Sequence, residues 1–166
     1  MKRGNAVEAS ERAESSMPRG SFTGLITAGL AAGALSGIVL GLTMKLLERL
    51  TGSAVYVLLL NVDFISWLPD QMSEQVEFAL HMAVSLPLGI LYLSLLPLWR
   101  SPARLSLGMS LAVACCTWIP LTQLSERPPL INDVQALLWW LIGHLVYGAV
   151  LAVFGMLWVK RGRIKI

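Results

Sequence analysis

Charge is scarce along this chain. Asp, Glu, Lys and Arg together make up 14% of its 166 residues, whereas a soluble domain carries about 25%. The deficit is concentrated in four long stretches with almost no charge, and 55% of the chain is hydrophobic. This distribution excludes an ordinary water-soluble globular domain.

Cysteine and clustered basic residues are lacking as well. Cys115 and Cys116 are adjacent inside an apolar stretch, so they form no disulfide framework, and we expect them to be small buried hydrophobic groups. The net charge is +3. The basic residues stand at the ends of the apolar stretches rather than in a stripe, which argues against nucleic acid as a partner.

Catalytic and metal-binding motifs are missing too. The sequence has no Ser/His/Asp grouping, no HExxH, no glycine-rich phosphate loop and no pair of carboxylates within one apolar stretch. We therefore expect a protein that is not an enzyme and that has neither a metal site nor a cofactor.

The four apolar stretches are each long enough to cross a bilayer. A helix needs about 20 residues to span a hydrocarbon core of about 30 Å. The predicted spans, within a membrane domain of residues 22–160, are 22–44, 75–98, 105–124 and 134–159. The first stretch exceeds the 7–15 residues or so of a signal-peptide core, which favours a retained membrane anchor. The predicted fold is all-α, a four-helix transmembrane bundle.

The remaining segments are short. Residues 1–21 are polar and are predicted to form a cytoplasmic tail, and residues 161–166 a short basic one. The segment from Ala54 to Pro69 begins apolar but is too short to cross, so we expect an interfacial or re-entrant segment. Asn132, with Gln135 three residues later, resembles a capping box at the start of the fourth span.

The basic residues predict an orientation. With both termini inside, ten of the 13 Lys and Arg residues lie on the cytoplasmic side, and only Lys45, Arg49 and Arg127 lie outside. An excess of Lys and Arg in cytoplasmic segments is the usual pattern in membrane proteins. The sequence therefore predicts a multi-pass protein of the plasma (inner) membrane, with cytoplasmic termini and the lipid bilayer as its main partner.

Glycine recurs every four residues along the first span, in the manner of a glycine zipper. Gly29, Gly33, Gly37 and Gly41 share one helix face, where another backbone can approach closely. Two interpretations remain open. The face packs against another helix of the same bundle, or it forms a self-association surface.

Polar side chains form a ladder inside the second and fourth spans. Glu77, His81 and Ser85 are four residues apart, and His144 is followed by Tyr147. Ionisable residues within a span are costly and commonly mark function. Glu77 can hydrogen-bond to His81 across one turn, and histidine titrates near neutral pH, so proton or ligand handling is one interpretation. A structural hydrogen bond from each histidine to a serine or tyrosine is the commoner arrangement, and both interpretations remain open.

The depth of the two histidines argues against a haem. Counted from the tryptophans at the cytoplasmic ends of their spans, His81 and His144 both lie in the outer half of the membrane. Their offset is about 6 Å along the helix axis, whereas two axial haem ligands lie directly opposite each other.

Several short motifs carry a family resemblance. In chain order they are the glycine-rich span that begins Gly24-Leu-Ile, then His81 with Ser85, Gly89 and Tyr92, then Pro120-Leu121 ahead of Pro128-Pro129, and finally Gly143-His144-Leu-Val-Tyr147. Over residues 22–160 the chain resembles the YagU-like family of small bacterial inner-membrane proteins. The resemblance implies a bacterial plasma membrane and four spans, but no reaction and no site residues. The chain departs from the family in its shorter first loop and its longer N-terminal tail.

Two functional hypotheses follow. The first is a non-enzymatic membrane protein that acts through helix contacts, as a homo-oligomer or an accessory subunit, because of the glycine register. The second is a small transporter or proton-responsive channel lined by Glu77, His81 and His144.

Overall fold

Helices account for nearly all of the structure. The computed structural model describes residues 19–62, 65, 67–69, 72–124 and 128–161, and these contain no strand. The helices are α1 (Arg19–Thr51), α2 (Val55–Leu60), α3 (Glu74–Trp99), α4 (Pro102–Leu124) and α5 (Val134–Lys160). All but α2 are long and apolar enough to cross a membrane. The predicted all-α bundle of four membrane helices is confirmed, and the chain is a multi-pass membrane protein.

Most of the two predicted tails lies outside the described residues. From Arg19 onward the first tail already belongs to α1, and of the second only Arg161 is described. Helix α1 continues past Met44 to Thr51. It is followed by Gly52 at a φ of 75°, a left-handed conformation that glycine adopts without strain and that commonly ends helices.

Helix α1 is central to the bundle. It packs along α3 on one side and along α5 on the other, and α5 in turn packs against α4. Helices α3 and α4 share a smaller contact, although only a tight turn joins them, with Arg100 at a φ of 52°. The helices therefore follow one another in the order α3, α1, α5, α4, and the loosest side of the bundle lies between α3 and α4.

The glycines of α1 let α3 approach closely. A Cβ atom added at any of the four would collide with α3: Gly29 with Ile90, Gly33 with Leu86, Gly37 with Ser85 and Gly41 with Phe78. The backbones also meet at Gly89 of α3, where an added Cβ would lie 2.7 Å from the Gly33 Cα. Such close van der Waals packing is a main source of helix association in lipid. The glycine face is therefore filled within the chain.

The contacts of α5 use glycine as well. A Cβ added at Gly143 would collide with Met44 of α1, and one added at Gly148 would lie 2.5 Å from the Ser110 Oγ of α4. Each glycine thus receives a side chain from the neighbouring helix, and α5 is held on both sides.

Only one strip of α4 is covered by the bundle. Its buried residues are Leu105, Ser106, Ser110, Ala114, Trp118 and Thr122. Cys115 and Cys116 fall outside this strip and are exposed. The expectation that they are buried is wrong. A free cysteine behaves as a small hydrophobic group, so its side chain is compatible with a surface that faces lipid.

Helix α2 is buried in one end of the bundle. Its Val55 and Leu58 are fully buried, with Leu60 nearly so, and it contacts α1, α3 and α5. Six residues are too few to cross a bilayer. Helix α2, which belongs to the segment predicted as interfacial or re-entrant, is therefore a plug, and we call the end of the bundle that holds it the plugged end. Residues 63, 64 and 66 of that segment lie outside the described residues.

Helix α5 begins with a side-chain cap. The Asp133 carboxylate accepts a hydrogen bond from the Ala136 amide at 2.9 Å. The capping box predicted from Asn132 and Gln135 is wrong by one residue. A carboxylate at the cap satisfies a free amide and also interacts favourably with the positive end of the helix dipole.

We expect Gly33→Ala to destabilise the protein, because the new methyl group would lie 2.9 Å from the Leu86 Cα and even closer to the Ser85 carbonyl. Overpacking of this kind typically costs about 1–3 kcal/mol. Gly108→Ala is the matched control: its Cβ would meet nothing within 4 Å, and alanine favours a helix by about 1 kcal/mol. Unfolding in mixed SDS micelles, followed by circular dichroism, compares the two. Equal stability of both variants would contradict the tight packing at Gly33.

Candidate functional site

A cavity of about 390 Å³ lies inside the bundle next to α2. Its walls are mostly leucine, isoleucine and valine side chains. Its polar lining residues are Asn61, His81, Ser85, Thr117, His144 and Tyr147. A largely apolar cavity of a few hundred Å³ with a few convergent polar groups is the usual form of a small-molecule site. We call it the histidine cavity.

The lining residues of α3 and α4 indicate that the histidine cavity opens sideways between these two helices. Ala83 and Val84 of α3 line it and are nevertheless exposed, Val84 by 60%. Val113 and Leu121 of α4 line it from the other side of the opening. Because α3 and α4 are both candidate membrane spans, the opening faces the hydrocarbon part of the bilayer.

Two polar side chains of α3 bond to the backbone of α1. The Ser85 hydroxyl donates to the Gly33 carbonyl at 2.8 Å, and the His81 Nε2 lies 3.2 Å from the Gly37 carbonyl oxygen. A carbonyl oxygen only accepts hydrogen bonds, so the His81 Nε2 carries a proton. In the neutral imidazole, Nδ1 then retains its lone pair. Because Gly33 and Gly37 have no side chains, the polar groups of α3 come close enough to bond to these carbonyls.

His144 is fixed in a similar way from α5. Its Nδ1 lies 2.9 Å from the Trp140 carbonyl oxygen, so Nδ1 is the donor and, in the neutral ring, Nε2 retains its lone pair. The imidazole packs against the Trp140 indole with ring centroids 4.5 Å apart. That indole donates from Nε1 to the Ala114 carbonyl of α4 at 3.0 Å. The orientation of the His144 ring is thus set by Trp140.

The other two hydroxyls of the cavity wall, those of Thr117 and Tyr147, differ in their hydrogen-bond partners. Thr117 donates to the Val113 carbonyl of its own helix at 2.6 Å. The Tyr147 hydroxyl lies 3.4 Å from the Ser85 Oγ, whose single proton is directed to the nearer carbonyl of Gly33. Tyr147 therefore keeps a proton that it can donate to Ser85 or to a molecule in the cavity.

A second cavity, of about 320 Å³, lies at the plugged end. Its polar lining residues are Lys45, Glu48, Arg49, Tyr56, Glu74 and Glu77, and we call it the charged cavity. Lys45 forms an ion pair with Glu74, and the Tyr56 hydroxyl donates to the same carboxylate at 2.8 Å. Burial, together with that hydrogen bond, raises the pKa of Tyr56 to about 12, so its hydroxyl remains a donor at neutral pH.

Glu48 holds α2 in place. Its Oε2 accepts hydrogen bonds from the Tyr56 amide at 2.8 Å and the Val57 amide at 3.1 Å. The residue before α2, Ala54, has no side chain that could cap the helix. A carboxylate on α1 thus satisfies the free amides at the start of α2. Residues of α2 and its flanks line both cavities.

The structure divides the predicted polar residues between the two cavities. His81, Ser85, His144 and Tyr147 line the histidine cavity, whereas Glu77 is buried and lines the charged one. The predicted packing glycines, Gly29, Gly33, Gly37 and Gly41, lie against α3. Within the described part of the chain, no three His, Cys, Asp or Glu side chains are grouped so that they could hold a metal ion.

Sequence reasoning missed Glu48 and Thr117. Glu48 lies in the last turns of α1, where a carboxylate is an ordinary helix-end residue. Its partners, the amides of Tyr56 and Val57, follow the turn at Gly52. The sequence does not predict where this turn places them relative to Glu48. Thr117 is a single hydroxyl in an apolar span, and such residues commonly bond to their own helix. Neither position carries a signal that would single it out.

Comparisons of the chain with protein-family models, with curated proteins and with solved structures find no match.

We expect Glu48→Ala to loosen α2, because two amides at its start would lose their acceptor. Loss of a helix cap costs about 1 kcal/mol, which corresponds to about fivefold faster hydrogen exchange of the amides in α2. Glu48→Gln is the matched control, since it keeps a neutral acceptor oxygen and should exchange more slowly than Glu48→Ala. Unchanged exchange in Glu48→Ala would show that α2 is held by its apolar contacts alone.

Proposed function

We propose that this chain is a non-enzymatic membrane protein that binds a small, largely apolar molecule from the bilayer in the histidine cavity. The observation that carries the proposal is the sideways opening at Ala83 and Val84, which line the cavity and are also exposed. A molecule dissolved in the hydrocarbon reaches the cavity through this opening without passing through water. The polar side chains of the wall then bind its polar end.

The volume of the histidine cavity limits the size of the ligand. About 390 Å³ is the liquid volume of about 13 water molecules at about 30 Å³ each. This space suits a molecule of about a dozen non-hydrogen atoms and is too small for the two acyl chains of a phospholipid. The proposal therefore concerns a small lipid-phase solute rather than a membrane lipid.

A role through helix contacts, as a homo-oligomer or an accessory subunit, has less support. That hypothesis was motivated by the glycine register of the first span. Gly29, Gly33, Gly37 and Gly41 pack against α3 of the same chain, so the register offers no groove to a second chain. The exposed apolar side chains of the spans serve equally well as the surface that faces lipid.

A proton-responsive channel or transporter through Glu77, His81 and His144 requires a continuous polar path. Beyond the histidine cavity, towards the α3–α4 turn, glycines of α5 receive side chains from neighbouring helices. Gly148 packs on Ser110, and Gly155 packs on Tyr92. This packing interrupts a polar path from the cavity towards the α3–α4 turn, which favours binding over conduction.

We further propose that the protein lies in a bacterial plasma membrane with both termini in the cytoplasm. The ten-to-three distribution of Lys and Arg supports this orientation, and the resemblance over residues 22–160 supports the membrane. A fluorescent reporter that matures only in the cytoplasm, fused after Ile166, should fluoresce, whereas alkaline phosphatase fused at that position should be inactive. The reverse pair of results would invert the orientation.

We expect Val84→Trp to abolish ligand binding, because an indole at this position fills the opening between α3 and α4. Val153→Trp is the matched control: Val153 is 50% exposed on α5 and does not line the cavity. Native mass spectrometry of gently extracted protein measures added mass on the 18.1 kDa chain. The wild type and Val153→Trp should carry a small molecule that Val84→Trp lacks. Equal added mass on all three proteins, or none on the wild type, would contradict the proposal.

A further inference from the structure

We infer that the histidine cavity selects a neutral, hydroxyl-bearing ligand, an alcohol or a phenol, that donates a hydrogen bond to the imidazole of His81 or of His144. This inference rests on the proposed function, which supplies the small molecule from the bilayer. It adds the chemical class of that molecule.

Most hydrogen-bond donors in the cavity walls formed by α3, α4 and α5 donate to main-chain carbonyls. The side chains that donate to main-chain carbonyls are His81, Ser85, Thr117 and His144, to Gly37, Gly33, Val113 and Trp140 respectively. Each of these groups has one proton to give in its neutral form. What each retains is a lone pair, on a residue that lines the cavity. Of the polar groups on these three walls, the hydroxyl of Tyr147 keeps its proton, and Asn61 belongs to the α2 side.

A cavity rich in acceptors favours a ligand with a donor. A buried acceptor that finds no donor loses about 1–3 kcal/mol relative to its hydrated state, so a ligand that supplies a proton gains that difference over one that does not. Discrimination of this kind is strong when a site is built to hydrogen-bond a substrate hydroxyl, because the analogue without it leaves the buried groups unpaired.

Formal charge on the ligand is disfavoured. Among the residues that the structure describes, no Lys, Arg, Asp or Glu side chain lines the histidine cavity. The described charged residues Lys45, Glu48, Arg49, Glu74 and Glu77 line the separate charged cavity. An ion that enters from hydrocarbon without a counter-charge is costly. A neutral hydroxyl is therefore a better match than an ammonium group or a carboxylate.

The positions of the acceptors suit a single hydroxyl at the end of an apolar body. His81 and Ser85 lie one turn apart on α3, while His144 and Tyr147 lie one turn apart on α5. The hydroxyl of a ligand between them donates its proton to one imidazole nitrogen and accepts from the Tyr147 hydroxyl. The apolar body then lies among the aliphatic side chains that lead to the opening at Ala83 and Val84.

The test compares two probes of nearly the same shape, 2-naphthol and 2-methoxynaphthalene, which differ in that only the first has a hydroxyl donor. Binding to the protein in nanodiscs is measured by equilibrium dialysis, with empty nanodiscs to subtract partitioning into lipid. We expect saturable binding of one 2-naphthol per chain and about tenfold weaker binding of the ether. His81→Phe and His144→Phe each keep a flat ring but remove one acceptor, so the double variant His81→Phe/His144→Phe should lose the preference. Trp99→Phe, an exposed aromatic at the α3–α4 turn, should leave it unchanged.

The possible failures separate the two proposals. Equal binding of both probes, or tighter binding of the ether, would overturn the inference about ligand class and leave the ligand-binding function standing. A preference for 2-naphthol that survives in the double variant would also overturn it, since the selecting groups would then not be the imidazoles. Absence of saturable binding for either probe would remove the proposed function itself. The comparison of the two probes on the wild-type protein does not depend on the folding of any variant.

Discussion

The close approach of α1 and α3 is the constraint on which the rest of the structure depends. Because Gly33 and Gly37 have no side chains, two carbonyls of α1 lie within reach of Ser85 and His81. The same contact that joins the helices thereby fixes the tautomer of His81 and leaves its second nitrogen as an acceptor. Packing and chemistry are set by one feature here, so a methyl group on this face would disturb both.

Polar side chains in the spans are of two kinds. Most hydroxyls bond to a carbonyl of their own helix, as Ser94 does to Ile90 and Thr122 does to Trp118, which satisfies them at any position in a bilayer. A few reach across to another helix, and among these His81, Ser85 and Trp140 line the histidine cavity. The bonds between helices thus surround the space that we assign to a ligand.

Much of the architecture could be predicted from the sequence, because charge-free stretches of about 20 residues have few other uses. The ladder of Glu77, His81 and Ser85 could also be predicted, since a helix repeats its faces every three to four residues.

The sequence pattern does not show which neighbouring helix, or lipid, each helix face contacts. In lipid, the outside of a bundle is as apolar as the inside, so hydrophobicity does not distinguish them. For that reason the side of α4 that carries Cys115 was predicted wrongly. The cavity was likewise not predictable, because it arises from the gap between two helices that are neighbours in sequence but only loosely packed.

The glycine face of α1 also has a consequence for biogenesis. Helix α1 precedes α3 along the chain, and ribosomes add about 5–20 residues per second. During co-translational insertion, α1 therefore resides in the membrane for several seconds before the helix that covers its glycines has been synthesised. Throughout that interval the carbonyls of Gly33 and Gly37 face lipid or whatever small-residue helix is nearby. The glycine face of α1 is therefore covered only once α3 has entered the membrane.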